Sequence, residues 1–218
     1  MSGTNHRTKL PAAFMALAFT SIAGATAILN PSFEAPVQTP TGYTYNPSLG
    51  ASSWTFDGQS GIAAQDSPWF SNLPPDGIQA AFLQVYLPNG LATTDFISQT
   101  LTGLNVGDSY QFTFYAAQRP GYPVNDFNVL LGSTVIDDVT PASPAFVQFT
   151  TAPTVATSSS MALTFQALDT ANATDADAII DLVQIQDLGI VAVPEPSSVL
   201  LFGPGIAGLL WLRRRKRT

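Results

Sequence analysis

SYQFTFYAAQ, residues Ser109 to Gln118, alternates without a break: Tyr110, Phe112, Phe114 and Ala116 fall on one side of an extended chain, and Gln111, Thr113 and Tyr115 on the other. A period of two is the mark of a strand with one face in a core and one toward water. SMALTFQAL, Ser160 to Leu168, repeats the pattern with Met161, Leu163, Phe165 and Ala167 opposite Ala162, Thr164 and Gln166. Working outward, Gln79–Tyr86, Asp95–Leu101, Phe127–Leu131, Phe146–Thr151 and Ile179–Leu188 also read as strands, separated by Gly, Pro, Asn and Asp. Between them lies no long stretch with helical apolar spacing. Short strands rich in Phe, Val and Thr predict an all-β, antiparallel β-sandwich.

One turn has a mechanism of its own. In Leu104-Asn-Val-Gly-Asp-Ser-Tyr110, Gly107-Asp108 supplies a sharp reversal, and Tyr110 opens the next strand with an apolar body and a hydroxyl able to reach backbone. It reads as a fold-stabilising corner.

The ends of the chain differ from its middle. Residues 1–27 have the three parts of a secretory signal peptide: Arg7 and Lys9, then a mostly apolar run from Leu10 to Gly24, then the Ala25-Thr26-Ala27 cleavage pattern. The domain therefore spans residues 28–190, and 191–218 form a separate tail.

Charge and inventory exclude much. Of the 8 basic residues only Arg119 lies between Ile28 and Val193, against thirteen Asp and Glu34, a formal charge of −13. Such a surface has nothing with which to neutralise nucleic acid phosphates. It suits an extracellular protein and leaves carboxylates for divalent cations. Cysteine is absent and the sole histidine, His6, sits in the signal peptide. Disulfides, common zinc sites, Ser-His-Asp triads and Cys-His pairs are thereby excluded from the domain.

The tail joins Pro194, Glu195 and Pro196 to a sixteen-residue, largely apolar run, Ser197 to Leu212, and then to Arg213, Arg214, Arg215, Lys216 and Arg217. As a helix, residues 197–212 would span about 24 Å, short of the ~30 Å bilayer core. The basic cluster would stay cytoplasmic and leave the acidic domain outside. This order of parts resembles the PEP-CTERM sorting signal. The resemblance implies a bacterial exporter of exopolysaccharide, transient anchoring in the inner membrane and processing by an exosortase, a membrane transpeptidase-like enzyme. The protein would then reside at the cell surface or in the extracellular matrix.

The mature start ILNPSFEAP, Ile28 to Pro36, resembles the opening of exported domains of the galactose-binding-like jelly-roll type, which include several carbohydrate-binding modules. Similarity continues through Trp54-Thr55, PPDGIQAAFLQ (Pro74–Gln84), ISQTL (Ile97–Leu101), FYAAQRPG (Phe114–Gly121) and IIDLV (Ile179–Val183). One position departs, since Leu182 stands where Asp-Asn-Val is usual. The resemblance implies a jelly-roll and a structural Ca²⁺ held by Glu34 and Asp181 with backbone carbonyls. A solvated Glu34 and a merely hydrogen-bonded Asp181 fit the same residues.

Three residues are candidates for ligand binding. Arg119 could hold a sugar hydroxyl or carboxylate while Tyr122 stacks on a ring face, or it could pair with an Asp to fix its loop. Trp69, beside Phe70 in a proline-bounded loop, could offer a sugar platform or pack under that loop. Trp54 reads as core. A glycosidase would need two carboxylates at a set separation, and thirteen Asp distinguish no pair. The composite expectation is a non-catalytic, exopolysaccharide-binding surface protein. Its rivals are a purely structural matrix protein and a carboxylate-dependent glycan hydrolase.

Overall fold

A computed structural model describes residues 26–86, 95–168 and 175–190. Along the chain these form β1 (Tyr43–Tyr45), α1 (Leu49–Ser52), β2 (Thr55–Asp57), β3 (Gln59–Ala64), β4 (Gln79–Val85), β5 (Phe96–Thr102) and β6 (Asp108–Gln118). There follow β7 (Phe127–Leu131), β8 (Thr134–Val139), β9 (Val147–Thr150), β10 (Thr154–Val155), β11 (Ser160–Ala167) and β12 (Ala176–Ile190). The signal peptide, apart from Thr26 and Ala27, and the tail with its apolar run lie outside the described residues, as do residues 169–174. Among the described residues no helix is long and apolar enough to cross a membrane.

Two antiparallel sheets face each other as a jelly-roll β-sandwich. One has the order β1-β3-β4-β12-β6-β10, with β9 also on β6; the other runs β2-β5-β11-β7-β8. β6 and β11 start within a residue of the alternating segments that predict them, and they point the expected faces inward. Phe112, Phe114, Leu163 and Phe165 are fully buried between the sheets with Phe33, Trp54, Phe127 and Ile180. Phe114 meets Phe165 edge-on at 5.1 Å, and Phe33 tilts against Trp54 at 5.1 Å. The Tyr110 hydroxyl accepts the Asn105 backbone N–H at 2.9 Å, closing the expected corner.

A second apolar cluster lies on the other face of the larger sheet. There the loop of residues 65–78 lays Trp69 and Phe70 over Ala63, Ala80, Phe82, Ala117 and Ile179. β4 is consequently buried along its whole length. This loop, with the edge strand β1, shapes the candidate site.

Candidate functional site

β1 carries Tyr43 and Tyr45 two residues apart, so both rings project from the same face of the strand. In register, Tyr45 lies opposite Gly61 of β3, and Gly61 opposite Phe82 of β4. Because Gly61 has no side chain, the Tyr45 and Phe82 rings meet across it, edge to face at 5.1 Å. A Cβ there would overlap the Thr44 carbonyl oxygen and the Phe82 ring. Trp69 stacks flat on Phe82 at 3.7 Å. Tyr43, Tyr45 and Trp69 then sit mutually edge-on, with centroids 5.8, 5.9 and 6.1 Å apart. Such pairs add about 0.5–1.5 kcal/mol each beyond their buried area. Tyr43 stays 47 % exposed and Tyr45 39 %.

Arg119 follows directly after β6. Its Nε donates to the Pro68 carbonyl at 2.9 Å and its Nη1 to Asp177 Oδ2 at 3.1 Å, with Asp175 Oδ1 at 3.8 Å. The guanidinium carbon lies 4.3 Å from the Trp69 ring centroid and 3.6 Å from that of Tyr122. Both rings thus attract its charge. The three expected ligand residues are brought together, with Arg119 between the two rings. Only 7 % of Arg119 and 2 % of Trp69 are exposed. They form the wall of the site rather than an open platform.

A polar relay runs along that wall. The Tyr45 hydroxyl donates to Gln84 Oε1 at 2.9 Å, and Gln84 Nε2 donates to Asp175 Oδ1. Burial, aided by the charges of Tyr43 and Asp177, pushes the Tyr45 phenol up to about 12, so it remains a donor at neutral pH. Burial likewise pushes the Asp177 carboxyl up to about 7, with the Arg119 charge opposing and the Asp175 charge adding. Tyr43, Tyr45, Gln59, Gln84, Tyr86 and Asp175, with Trp69 and Arg119 behind them, line an open cleft of about 300 Å³. Aromatic faces beside a few placed amides and a carboxylate can pack the C–H face of a sugar and bond its hydroxyls.

Sequence reasoning missed Tyr43, Tyr45, Gln59, Gln84, Tyr86 and Asp175. The one available signal is Tyr-Thr-Tyr, which sends two aromatics to one side of a short strand.

Glu34 and Asp181 meet elsewhere, around the loop of residues 76–79. Glu34 Oε1 accepts the backbone N–H groups of Ile78 and Gln79 at 2.9 and 2.8 Å. Asp181 Oδ2 accepts that of Asp76 at 3.1 Å, and Ser32 donates to Asp76 Oδ2 at 2.6 Å. Asp181 Oδ1 is buried with no hydrogen-bond partner among the described residues. Burial pushes the Asp181 carboxyl up to about 8; the Asp76 and Leu182 N–H groups oppose this, and the Asp76 and Glu34 charges add to it. The oxygens are of the hard type that Ca²⁺ prefers. Among the described residues, however, no group of three or more Asp, Glu, His or Cys is arranged to hold a metal ion. Asp76 is the residue here that sequence reasoning passed over.

Residues 192–216 match the PEP-CTERM protein-sorting motif, so the chain carries this sorting signal. No curated protein matches the sequence at a significant level. Among solved structures, two cyclases from Fischerella sp. TAU, one of them described as a Stig cyclase, share the fold. Their TM-scores are 0.53 and 0.55, each at 18 % identity, over 76 % of this chain and 98 % and 99 % of theirs. The CBM22-1 xylan-binding domain of Paenibacillus barcinonensis aligns with a TM-score of 0.46 at 14 % identity, over 62 % of this chain and 85 % of its own. At 18 % identity the likeness to the two cyclases is one of fold.

Proposed function

We propose that this is an exported carbohydrate-binding protein whose cleft at Tyr43, Tyr45, Gln84 and Asp175 holds a glycan without cleaving it. The observation that carries the reading is the pair of exposed tyrosines on β1, braced edge-on by Trp69 and tied through Gln84 to Asp175. Asp177 is fully buried and bonded to Arg119, which makes it a scaffold group rather than an acid within reach of a substrate. The sorting motif at residues 192–216 supports export, transient anchoring in the inner membrane and exosortase processing, with the producer's exopolysaccharide as ligand at the cell surface or in the matrix.

We extend the reading to a structural Ca²⁺ beside Asp181. Its support is the buried Oδ1, which has no hydrogen-bond partner among the described residues, and the negative charges of Asp76 and Glu34 nearby. Glu34 and Asp181 would contribute carboxylate oxygens to the shell.

The deciding experiment is binding of the purified full-length chain to that exopolysaccharide, compared with Tyr45→Ala and assayed for released reducing sugar. Saturable binding weakened about tenfold by the substitution, without sugar release, is expected. Absence of binding to this polymer and to a broad glycan panel would favour a purely structural matrix role. Sugar release would favour hydrolysis.

A further inference from the structure

We infer that the glycan taken by the Tyr43–Tyr45 cleft carries free, protonated amines, as in an unacetylated amino-sugar polymer, and that acidic glycans are turned away. The inference rests on the glycan-binding reading above. Charge is the first ground. Arg119 is the only cation between residues 28 and 193, against fourteen carboxylates. That cation is already committed: it is 7 % exposed, hydrogen-bonded to Asp177 and Pro68, and flanked by the Trp69 and Tyr122 rings. A uronate, sulfate or phosphate entering the cleft would lose water without gaining an accessible cationic partner, and it would face Asp175.

An ammonium meets the opposite conditions. Asp175 is the acid that lines the cleft among the described residues, and its side chain is 29 % exposed; its Oδ1 accepts from Gln84 Nε2 and stands 3.8 Å from Arg119 Nη1, a loose ion pair too long for a hydrogen bond. Tyr43, Tyr45 and Tyr86, respectively 47 %, 39 % and 44 % exposed, offer electron-rich rings that attract cations and pack equally well on the sugar's C–H groups. The field of the whole acidic domain draws a polycation toward the surface and repels a polyanion.

Calorimetry on the full-length chain at physiological ionic strength tests this with three probes: β-1,4-glucosamine hexamer, its fully N-acetylated form, and an oligogalacturonate. The glucosamine hexamer is expected to bind about tenfold tighter than the acetylated one, and the oligogalacturonate not at all. Asp175→Asn should erase that preference, bringing the two hexamers to equal affinity. Gln59→Glu, which adds a carboxylate to the cleft, should increase it. Tyr45→Ala should weaken both hexamers, and Asp138→Asn, exposed on the opposite sheet, should change neither. A melt of each variant confirms folding. Equal affinity for the two hexamers overturns the amine preference and leaves the glycan reading intact. Glucosamine binding that survives both Tyr45→Ala and Asp175→Asn also overturns it, by tracing the affinity to the general field of an acidic chain. No binding of any probe, nor of the exopolysaccharide, overturns both.

Discussion

Arg119 and Asp177 form an ion pair at 3.1 Å in which neither partner meets solvent appreciably, at 7 % and 0 % exposure. Removing one member of a buried pair strands the other charge, which typically costs about 3–5 kcal/mol. Arg119→Ala is therefore expected to lower the unfolding free energy by an amount in that range, read as a fall in the urea midpoint, since the Trp69 and Tyr122 contacts go too. Replacing both partners, Arg119→Met with Asp177→Leu, should cost much less than the single change. A double substitution as damaging as the single would show that the pair is not the origin of the effect.

The same pair sets a pH dependence. The Asp177 carboxyl is raised from its ordinary 3.8 to about 7. The folded state thus holds a proton that the unfolded chain has released across that interval. Stability contributed by this group is present at low pH, falls as pH rises from about 4 to about 7, and then levels off. Melting temperatures at pH 5 and pH 8 should show the fall in the parent protein and a smaller one in Asp177→Asn. Parallel profiles would assign the slope to other groups.

Gly61 makes the aromatic corner possible. Gly61→Ala must push either the Thr44 backbone or the Phe82 ring aside, so glycan affinity should drop at least as far as in Tyr45→Ala. Overpacking of this kind costs about 1–3 kcal/mol, which calorimetric melting would register. Unchanged affinity would mean that the corner is not the binding surface.

How much of this was readable in advance depends on how each strand is covered. β6, β7 and β11 alternate because one face meets the core and the other does not. β3, Gln59–Ala64, shows no alternation, since the core covers one side and the Trp69–Phe70 loop the other. β1 and β10 are 3 and 2 residues long, too short for any period to emerge. β8, on a sheet edge, is absent from the expected strands because Asp137-Asp138 interrupts its alternation. The site escaped for a different reason. Its members Tyr45, Gln84 and Asp175 are distant in sequence and meet only through the pairing of β1, β3, β4 and the start of β12. Arg119 was conspicuous because it is the lone cation, and a pairing with Asp was among its expected roles.

Leu182 occupies a left-handed conformation, φ 49°, at a bulge in β12 between Asp181 and Gln184. A branched apolar residue is costly there, whereas Asn adopts that region readily. The Asn usual in resembling domains thus has a backbone reason. Leu182→Asn is expected to stabilise the fold by about 1 kcal/mol, visible as a higher urea midpoint. A lower midpoint would mean that apolar packing by Leu182 outweighs the relief of strain.

Calcium makes its own prediction. Added Ca²⁺ should raise the melting temperature of the parent protein and chelator should reverse it, whereas Asp181→Ala should respond to neither. Identical melts with and without chelator would remove the metal from the account.

β12 sits between β4 and β6 in the larger sheet, yet it is the last described strand to be synthesised. Without β12, the strands on either side have no common neighbour in that sheet. The two halves of the larger sheet are therefore joined, strand to strand, only by the segment that directly precedes the sorting signal.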